Sequence, residues 1–397
     1  MVEPPLAVAI YSASGMRNGL PIDTNLVLDA VRTLVRVPSV NPTIAPAEGT
    51  GEAAVAAAAR DWLVARGVNA WLEDAAPGRP NAVAEIGAGR GRTLVFCAHL
   101  DTVGTEGMTI PPFEPRLERG RLYGRGSYDM KGSAGAIMSA AVTLTRSQFD
   151  GRVLLALVAD EEDASAGASD FVRRHTADAC IVTEPSEGDL VLAHKGFVWA
   201  EVVTHGKAAH GSRWDAGVSA IGRMGRIIAA IESYDRSALR SRTHPLVGPA
   251  SMHCAIVSGG TGLSTYAPEC RLKIERRTIP GETPQQVLRE LREIVREAGE
   301  EADIELLLDR PPLVCKADEE IVTCVREAVT RVTGTPPRES GVAYWMDAAI
   351  FAAAGIPTVN YGPAGEGAHA AVEWVDVQSL VTTARVLVES ARGFRAA

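Results

Sequence analysis

The spacing of apolar residues changes several times along the chain, and each spacing predicts a different kind of element. From about residue 24 to residue 195, segments with helical spacing alternate with short, continuous apolar runs. Helical spacing puts the apolar residues on one face, whereas a short apolar run that ends in polar residues is typical of a strand buried in an α/β sheet. The predicted helices span 25–37, 52–66 and 131–146, and the predicted strands span 93–98, 153–159 and 179–183.

A different order of elements follows between residues 195 and 309. Strands are predicted over 197–204, 251–258, 271–277 and 303–308, and helices over 218–233 and 284–298. This order, β-α-β-β-α-β, is that of a ferredoxin-like unit. It predicts a second domain at 196–309, bounded by Lys195-Gly196 and Pro311-Pro312, inside a first domain made of 1–195 and 310–397. The α/β pattern then resumes with predicted helices over 321–332, 346–354 and 377–392 and a strand over 357–361.

The composition is that of an ordinary folded protein, and it excludes several classes of partner. The 397 residues are 46% hydrophobic and 22% charged, with a formal net charge of −9. No basic surface for nucleic acid is indicated, and no apolar run approaches the ~18 residues that a membrane span needs. Because the N-terminus lacks a signal-peptide pattern and the six cysteines are scattered without a C-x-x-C pair, we expect a cytoplasmic protein with reduced thiols.

Residues able to ligate metals follow the ends of the predicted buried strands. The first strand leads into His99 and Asp101, whose side chains point to the same side because alternate residues share a face. In open α/β sheets, ligands bind at the carboxyl ends of the strands. A carboxylate often orients a metal-bound imidazole, and Asp101 is close enough in sequence to do so. The alternative interpretation is a histidine–aspartate pair that caps the end of a strand.

Asp129 lies in a glycine-rich turn, GRGSYDMKG, just before a predicted helix. A carboxylate held there has two oxygens with which to bridge two cations. Two alternatives are an N-cap for the helix and a phosphate-binding loop. The phosphate interpretation is weak, because the run matches neither of the glycine-rich phosphate motifs.

Further acidic residues and a second histidine complete the candidate set. The strand over 153–159 ends in the acidic run Asp160–Asp163, where two adjacent glutamates can divide the work of metal ligand and general base. Glu184 follows another buried strand, and His369 lies in a glycine-rich loop after the strand at 357–361. Two imidazoles and three carboxylates without thiolates suit a pair of zinc ions. The ligand candidates are His99, Asp129, Glu162, Glu184 and His369, with Glu161 as the candidate base.

These motifs together resemble a known family, the two-zinc metallopeptidases and amidohydrolases that include acetylornithine deacetylase, succinyl-diaminopimelate desuccinylase, aminoacylase and glutamate carboxypeptidase. The motifs H-x-D, G-R-G-x-x-D-M-K-G, D-E-E, T-E-P and a late G-x-x-H occur in the family's order, and the resemblance covers about residues 24–392. It implies an α/β, zinc-dependent exopeptidase-like three-layer catalytic domain with an inserted ferredoxin-like lid and dimerisation domain. It also implies that Asp129 bridges two metals, that His99 and Glu184 complete one site, that Glu162 and His369 complete the other, that Glu161 is the general base, and that Asp101 supports His99.

The resemblance also extends to the predicted insert. His210 in THGKAAHGS matches a histidine that, in the family, reaches across a dimer to polarise the partner's substrate, so a homodimer is implied. Arg277 in RLKIERRTIPGE matches an arginine that binds the substrate carboxylate, and Arg276 alternates to the other face. Thr265 departs from the family, which often has asparagine at this position to contact the substrate or the oxyanion.

We therefore expect an enzyme that hydrolyses the amide bond of a small N-acyl amino acid in the manner of acetylornithine deacetylase. Its cofactors would be two divalent ions, zinc first, with cobalt or manganese as alternatives. Two other functions stay open at this point. One is a dipeptidase or carboxypeptidase of the same family, and the other is a metal- or ligand-binding homologue without catalysis.

Overall fold

The computed structural model describes residues 21–87, 91–147 and 149–394. In this part of the chain the helices are α1 (Thr24–Val35), α2 (Ala53–Val64), α3 (Lys131–Thr145), α4 (Ala166–Arg174), α5 (Ala220–Ser237), α6 (Pro284–Glu297), α7 (Glu320–Thr333), α8 (Ala348–Ala353) and α9 (Val377–Gly393). None of these helices has the length and the apolar character that a membrane crossing needs.

The strands of the described residues follow the same order along the chain. They are β1 (Asn69–Ala76), β2 (Arg79–Gly87), β3 (Thr93–His99), β4 (Arg116–Glu118), β5 (Arg121–Tyr123), β6 (Arg152–Val158), β7 (Ala179–Val182), β8 (Leu190–His194), β9 (Gly196–His205), β10 (Thr243–His244), β11 (Gly248–Pro249), β12 (Ser251–Gly259), β13 (Glu269–Thr278), β14 (Asp303–Arg310), β15 (Leu313–Val314), β16 (Glu339–Val342), β17 (Thr358–Asn360), β18 (Gly365–Glu366) and β19 (Trp374–Asp376).

A mixed sheet forms the centre of the molecule. Its strand order is β1-β2-β6-β3-β7-β17-β8-β15, and β16 pairs with β8 beside this path. The strands β6, β3, β7 and β17 run parallel to one another, whereas β1 and β2 form an antiparallel hairpin at one edge. The parallel strands are short and apolar because both of their faces are buried.

Helices cover both faces of this sheet, and the alternation of side chains along β3 shows the three layers. Leu94, Phe96 and Ala98 pack into a core with α1, α2, α3, α7 and α9. Val95 and Cys97 point the other way, into a core with α4 and α8. The α/β three-layer arrangement expected from the sequence is therefore confirmed.

The elements between β9 and β14 form a separate antiparallel sheet of order β12-β13-β9-β14. They occur in the predicted order β-α-β-β-α-β, and α5 and α6 pack on one face of the sheet around their own apolar core. Buried and exposed residues alternate along β13, as expected for a strand that is covered on one face only. Helix α5 begins at Ala220, two residues later than predicted, because the Ser219 hydroxyl accepts the Gly222 N–H and caps the helix there.

Candidate metal centre

Three parallel strands bring the first set of candidate ligands together. The strands β6, β3 and β7 are neighbours, so their carboxyl ends meet at one edge of the sheet. His99 is the last residue of β3, Glu162 follows β6, and Glu184 follows β7. Glu161 accompanies Glu162 on the turn after β6.

A small antiparallel sheet of order β18-β19-β5-β4 brings in the second set. Strand β5 precedes the glycine-rich turn that carries Asp129, and β18 and β19 flank the loop that carries His369. Because Trp374 in β19 pairs with Tyr123 in β5, the loop and the turn are held side by side. His369 has a left-handed backbone (φ 59°), and the peptide bond between Asp129 and Met130 is cis.

The candidate ligands meet around the carboxylate of Asp129. Its Oδ1 lies 3.2 Å from His99 Nε2, and its Oδ2 lies 3.2 Å from His369 Nε2. The same nitrogen of His99 is 3.4 Å from Glu184 Oε1, and that of His369 is 3.3 Å from Glu162 Oε2. Each oxygen of Asp129 therefore faces one histidine, and each histidine faces one further glutamate.

The donors at this centre fit divalent cations. His99, Asp129 and Glu162 offer ligand atoms within 4.8 Å of one another, and so do His99, Glu161 and Glu184. Glu162 Oε1 is buried, and no group among the described residues hydrogen-bonds to it. A buried carboxylate oxygen without a donor is costly unless a cation compensates it. Imidazoles and carboxylates without thiolates suit zinc, cobalt or manganese.

The electrostatics of the cluster point the same way. Burial raises the pKa of Glu162 and of Glu184, and neighbouring carboxylates add to both effects. Burial also opposes ionisation of Asp129, but hydrogen bonds from His369 and His99 outweigh it and lower the pKa of that carboxyl. Hydrogen bonds to Asp129 and Glu162 raise the pKa of His369 to about 10. Positive charge is therefore favoured between these carboxylates, which is the requirement that metal ions would meet.

Asp101 lies under His99, but its contacts differ from a simple carboxylate–imidazole pair. His99 Nδ1 is 3.0 Å from the backbone carbonyl of Asp101 and 3.5 Å from its Oδ1. The Asp101 carboxylate instead accepts the backbone N–H groups of Glu161 and Glu162, each at 3.1 Å. Asp101 thus contacts both the imidazole and the turn that carries the two glutamates.

Glu373 is a functional candidate that the sequence did not reveal. It is fully buried and accepts N–H groups of the turn from Gly126 and Asp129 at 3.0 Å and from Tyr128 at 2.9 Å. It also pairs with Arg125 at 2.7 Å. Glu373 therefore fixes the backbone that presents Asp129. In the sequence, the one sign of this role is an acidic residue four positions after His369. A glutamate on the surface would look the same in the sequence.

A cavity of about 390 Å³ opens in front of the cluster. Its walls include Tyr344, whose hydroxyl donates to the Pro185 carbonyl at 2.6 Å, and Trp345, whose Nε1 donates to the Pro311 carbonyl at 3.1 Å. The sequence does not reveal either aromatic residue as part of the site, because its spacing is the same whether an aromatic side chain lines a cavity or packs in a core. The cavity is lined by Tyr128, Asp129, Glu161, Glu162, Glu184, Pro185, Tyr344, Trp345, Ala368 and His369.

The three candidates from the insert do not line this cavity. His210 and Thr265 lie together, joined by an isolated β-bridge, and the exposed His210 ring contacts the Ser212 hydroxyl at 2.8 Å. Arg277 pairs with Glu275 at 2.8 Å, and its guanidinium lies 5.3 Å from the centre of the Phe197 ring. Arg276 faces the other way and is buried in an ion pair with Glu282 at 2.5 Å.

The sequence profile of peptidase family M20/M25/M40 matches residues 95–393, which is most of the chain and includes every candidate ligand. The chain belongs to this family. It is 31% identical over 336 residues to an acetylornithine deacetylase of Myxococcus xanthus, an alignment that covers 82% of this chain and 86% of that protein. It is therefore a metal-binding hydrolase of amide bonds, as the motifs predicted.

Solved structures of the family share the fold. An aminopeptidase PepT of Bacillus cereus superimposes with a TM-score of 0.78 at 21% identity, covering 94% of this chain and 99% of that chain. The YXEP protein of Bacillus subtilis, described as a dinuclear metal-binding peptidase of the M20 family, superimposes with a TM-score of 0.71 at 18% identity over 93% of this chain and 97% of that chain. At these identities the likeness concerns the fold alone.

Proposed function

We propose that this M20 enzyme hydrolyses the amide bond of a small N-acyl amino acid, in the manner of an acetylornithine deacetylase. The observation that carries the proposal is the Asp129 carboxylate, each oxygen of which faces one histidine, with Glu161 at the same cavity. The 31% identity to an acetylornithine deacetylase supports the deacylase over other members of the family.

The roles we propose for the residues follow from this arrangement. Asp129 would hold two divalent ions, one together with His99 and Glu184 and the other together with Glu162 and His369. When bound, such ions supply an activated water and a Lewis acid for the scissile carbonyl. Zinc is the metal we propose, with cobalt or manganese as alternatives, because nitrogen and oxygen donors accept all three.

The general base is Glu161 in this proposal. It takes a proton from the water that attacks the carbonyl carbon, and it delivers that proton to the leaving nitrogen as the C–N bond breaks. The products are the carboxylate of the acyl group and the free amine. Asp101 contributes by holding the backbone N–H of Glu161, so that the base keeps its orientation in both proton transfers.

The second part of the proposal concerns residues 196–309, which we take as a lid and dimerisation domain between the two parts of the catalytic domain, 1–195 and 310–397. Strand β12 is an edge of its sheet and exposes two apolar side chains, Ile256 and Val257, at 60% and 56% of their surface. An apolar edge of this kind favours pairing with another chain. In a homodimer, His210 would reach the partner's cavity and stabilise the oxyanion, with Thr265 beside it and Arg277 on the substrate carboxylate.

Peptide-bond cleavage is the second candidate function, because the same chemistry would cleave a peptide bond and because the chain shares its fold with the aminopeptidase PepT. The test is a panel of N-acetyl amino acids, N-succinyl amino acids and dipeptides, assayed with added zinc or cobalt. We expect the highest kcat/KM for an N-acetyl amino acid. A preference for dipeptides would make the enzyme a peptidase, and no turnover of any member with either metal would overturn the proposal.

A further inference from the structure

Two buried aspartates hold the turn that carries Glu161 and Glu162. Asp101 accepts the backbone N–H groups of both glutamates at 3.1 Å. Asp160 opens the turn with a left-handed backbone (φ 71°), which few residues other than glycine adopt readily. Its Oδ2 accepts the Ala166 N–H at 3.3 Å beyond the turn. The position of both glutamates therefore depends on where these two carboxylates lie.

Asn41 joins the two aspartates. Its Nδ2 donates to Asp101 Oδ2 at 2.8 Å and to Asp160 Oδ1 at 3.1 Å, so both hydrogens of the amide are used. The side chain is fully buried, and its Oδ1 accepts the Thr43 N–H at 3.0 Å. The backbone of Asn41 donates to the Thr102 carbonyl at 2.9 Å, next to the end of β3. A neutral donor thus separates two like charges in the interior.

Arg79 supplies the positive charge of this network. It donates to Asp160 Oδ1 at 2.5 Å, and its Nε donates to Glu52 Oε2 at 2.8 Å. A second contact joins the same guanidinium to Glu52 Oε1. Glu52 is fully buried at the start of α2, and the Arg79 side chain is only 14% exposed. Arg79 thus links Glu52 to Asp160, and Asn41 links Asp160 to Asp101, so three carboxylates and one guanidinium form one network.

We propose that Asn41 and Arg79 are positioning residues for hydrolysis, acting through Asp101 and Asp160 on the turn that presents Glu161 and Glu162. The inference rests on the proposed function. It goes beyond it, because neither residue contacts the candidate ligands or the cavity. Removing the donor between two buried carboxylates leaves like charges to repel, and both carboxylates accept backbone N–H groups in or next to the turn. The effect should therefore reach the base and the metal ligand before it reaches the rest of the fold.

The isosteric variant Asn41→Asp tests this directly, because it keeps the shape of the side chain, removes both N–H donors and adds a carboxylate between the two aspartates. We expect kcat at saturating cobalt to fall about 10- to 100-fold with KM within about threefold of wild type, and the weaker of two cobalt ions to bind less tightly by a similar factor. Cobalt affinity is followed by its visible absorption, independently of turnover. A loss of kcat alone assigns the effect to Glu161, a loss of cobalt affinity alone assigns it to Glu162, and either supports the proposal.

The variants Arg79→Lys and Arg79→Met test the role of the arginine in the same network. A lysine can pair with one carboxylate but cannot span two as the guanidinium does, so Arg79→Lys should recover part of the kcat that Arg79→Met loses. Because both residues act on Asp160, the Asn41→Asp/Arg79→Met double variant should lose less than the product of the single losses. Arg242→Met is the matched control: Arg242 pairs with Glu290 in the insert and touches neither aspartate.

Three results would overturn the inference. The first is a folded Asn41→Asp variant with the kcat and the cobalt affinity of the wild type. The second is an Asn41→Asp variant in which only the melting temperature falls. The third is an equal loss of kcat in Arg79→Met and in Arg242→Met. The proposed function is judged separately, by turnover of the substrate panel by the wild-type enzyme.

Discussion

Glu161 and Glu162 are adjacent in sequence, yet their surroundings differ. Glu162 pairs with His369 at 3.3 Å and has one buried oxygen without a donor among the described residues. Glu161 forms no such pair within the described part of the chain, and desolvation raises the pKa of its carboxyl against the opposing charge of His99, with Glu184 adding to the rise. A carboxylate at the cavity without a fixed partner suits the proposed general base, whereas one paired with a candidate ligand suits the proposed metal ligand.

The first prediction follows from this difference. Glu161→Gln should retain both metal ions and lose activity by about 10²- to 10⁴-fold, because the amide cannot accept the proton of the attacking water. Glu162→Gln is the paired comparison and should lose one ion. The measurements are kcat on the preferred substrate and metal content by elemental analysis. If Glu161→Gln binds only one ion, or turns over at the wild-type rate, the two roles have been assigned wrongly.

At the scale of elements, the sequence predicted the strands that end at the site more reliably than the loops that close it. The runs leading to His99, Glu162 and Glu184 are apolar on both faces, which is a strong signal for parallel strands. Once three such strands are predicted, their carboxyl ends must meet. The ligand candidates therefore follow from the sequence pattern alone.

Elements that depend on long-range contacts were not predictable in this way. The short strands β5, β18 and β19 have two or three residues each, too few for a periodic pattern. They decide that His369 faces Asp129, and they bring Glu373 beneath the turn from a distance of more than 200 residues. The hairpin β1–β2 was also missed, because β1 is only partly buried and includes polar residues on both faces. The contacts of Asn41 with Asp101 and Asp160 span 60 and 119 residues and leave no local trace in the sequence.

Strand β8 provides a prediction at this scale, because it ends in a buried histidine. The Nδ1–H of His194 donates to the Lys195 carbonyl at 2.9 Å, and its ring packs edge-on against Trp345. Burial lowers the pKa of His194 to about 4. In the unfolded chain the pKa of a histidine is about 6.5. Between about pH 6.5 and pH 4, His194 therefore binds a proton in the unfolded chain but not in the folded one. Stability from the neutral ring is therefore complete above about pH 6.5 and is lost as the pH falls.

We expect this residue to contribute about 2 kcal/mol to the decrease in the free energy of unfolding between pH 7 and pH 5. His194→Phe keeps an aromatic ring and removes the titration, so its free energy of unfolding should decrease by that much less over the same range. Urea unfolding of both proteins with a chelator present measures the difference without a contribution from bound metal. Parallel pH dependences in the two proteins would contradict the prediction.

At the scale of the whole molecule, the described chain holds two structures with separate apolar cores, and the insert emerges from the central sheet between β8 and β15. His194 precedes the first crossing, and Pro311 at the second accepts a hydrogen bond from Trp345 of the cavity wall. The insert is thus attached at the cavity. Its own candidates, His210 and Thr265, lie on two neighbouring exposed loops and do not line the cavity, which is the arrangement expected of residues that serve another copy of the chain.

Mixing two inactive variants tests that expectation. Glu161→Gln lacks the base and keeps His210, whereas His210→Ala keeps the base and lacks the histidine. If His210 acts on the partner subunit, each mixed dimer contains one site with both residues intact. Random pairing of equal amounts should then restore about one quarter of the wild-type activity, since half of the dimers are mixed and each has one working site.

Coexpression with two affinity tags allows the mixed dimer to be isolated, and kcat per dimer is the quantity to compare. The matched control pairs Glu161→Gln with the double variant Glu161→Gln/His210→Ala, which leaves no site with its base and should stay inactive. If His210 instead served its own chain, the mixed dimer would be as inactive as either parent, because no single chain in it has both residues. A protein that is monomeric by light scattering and active would exclude action across a dimer altogether. Restoration in the mixed dimer and inactivity of the control would show that His210 of one subunit completes the active site of the other.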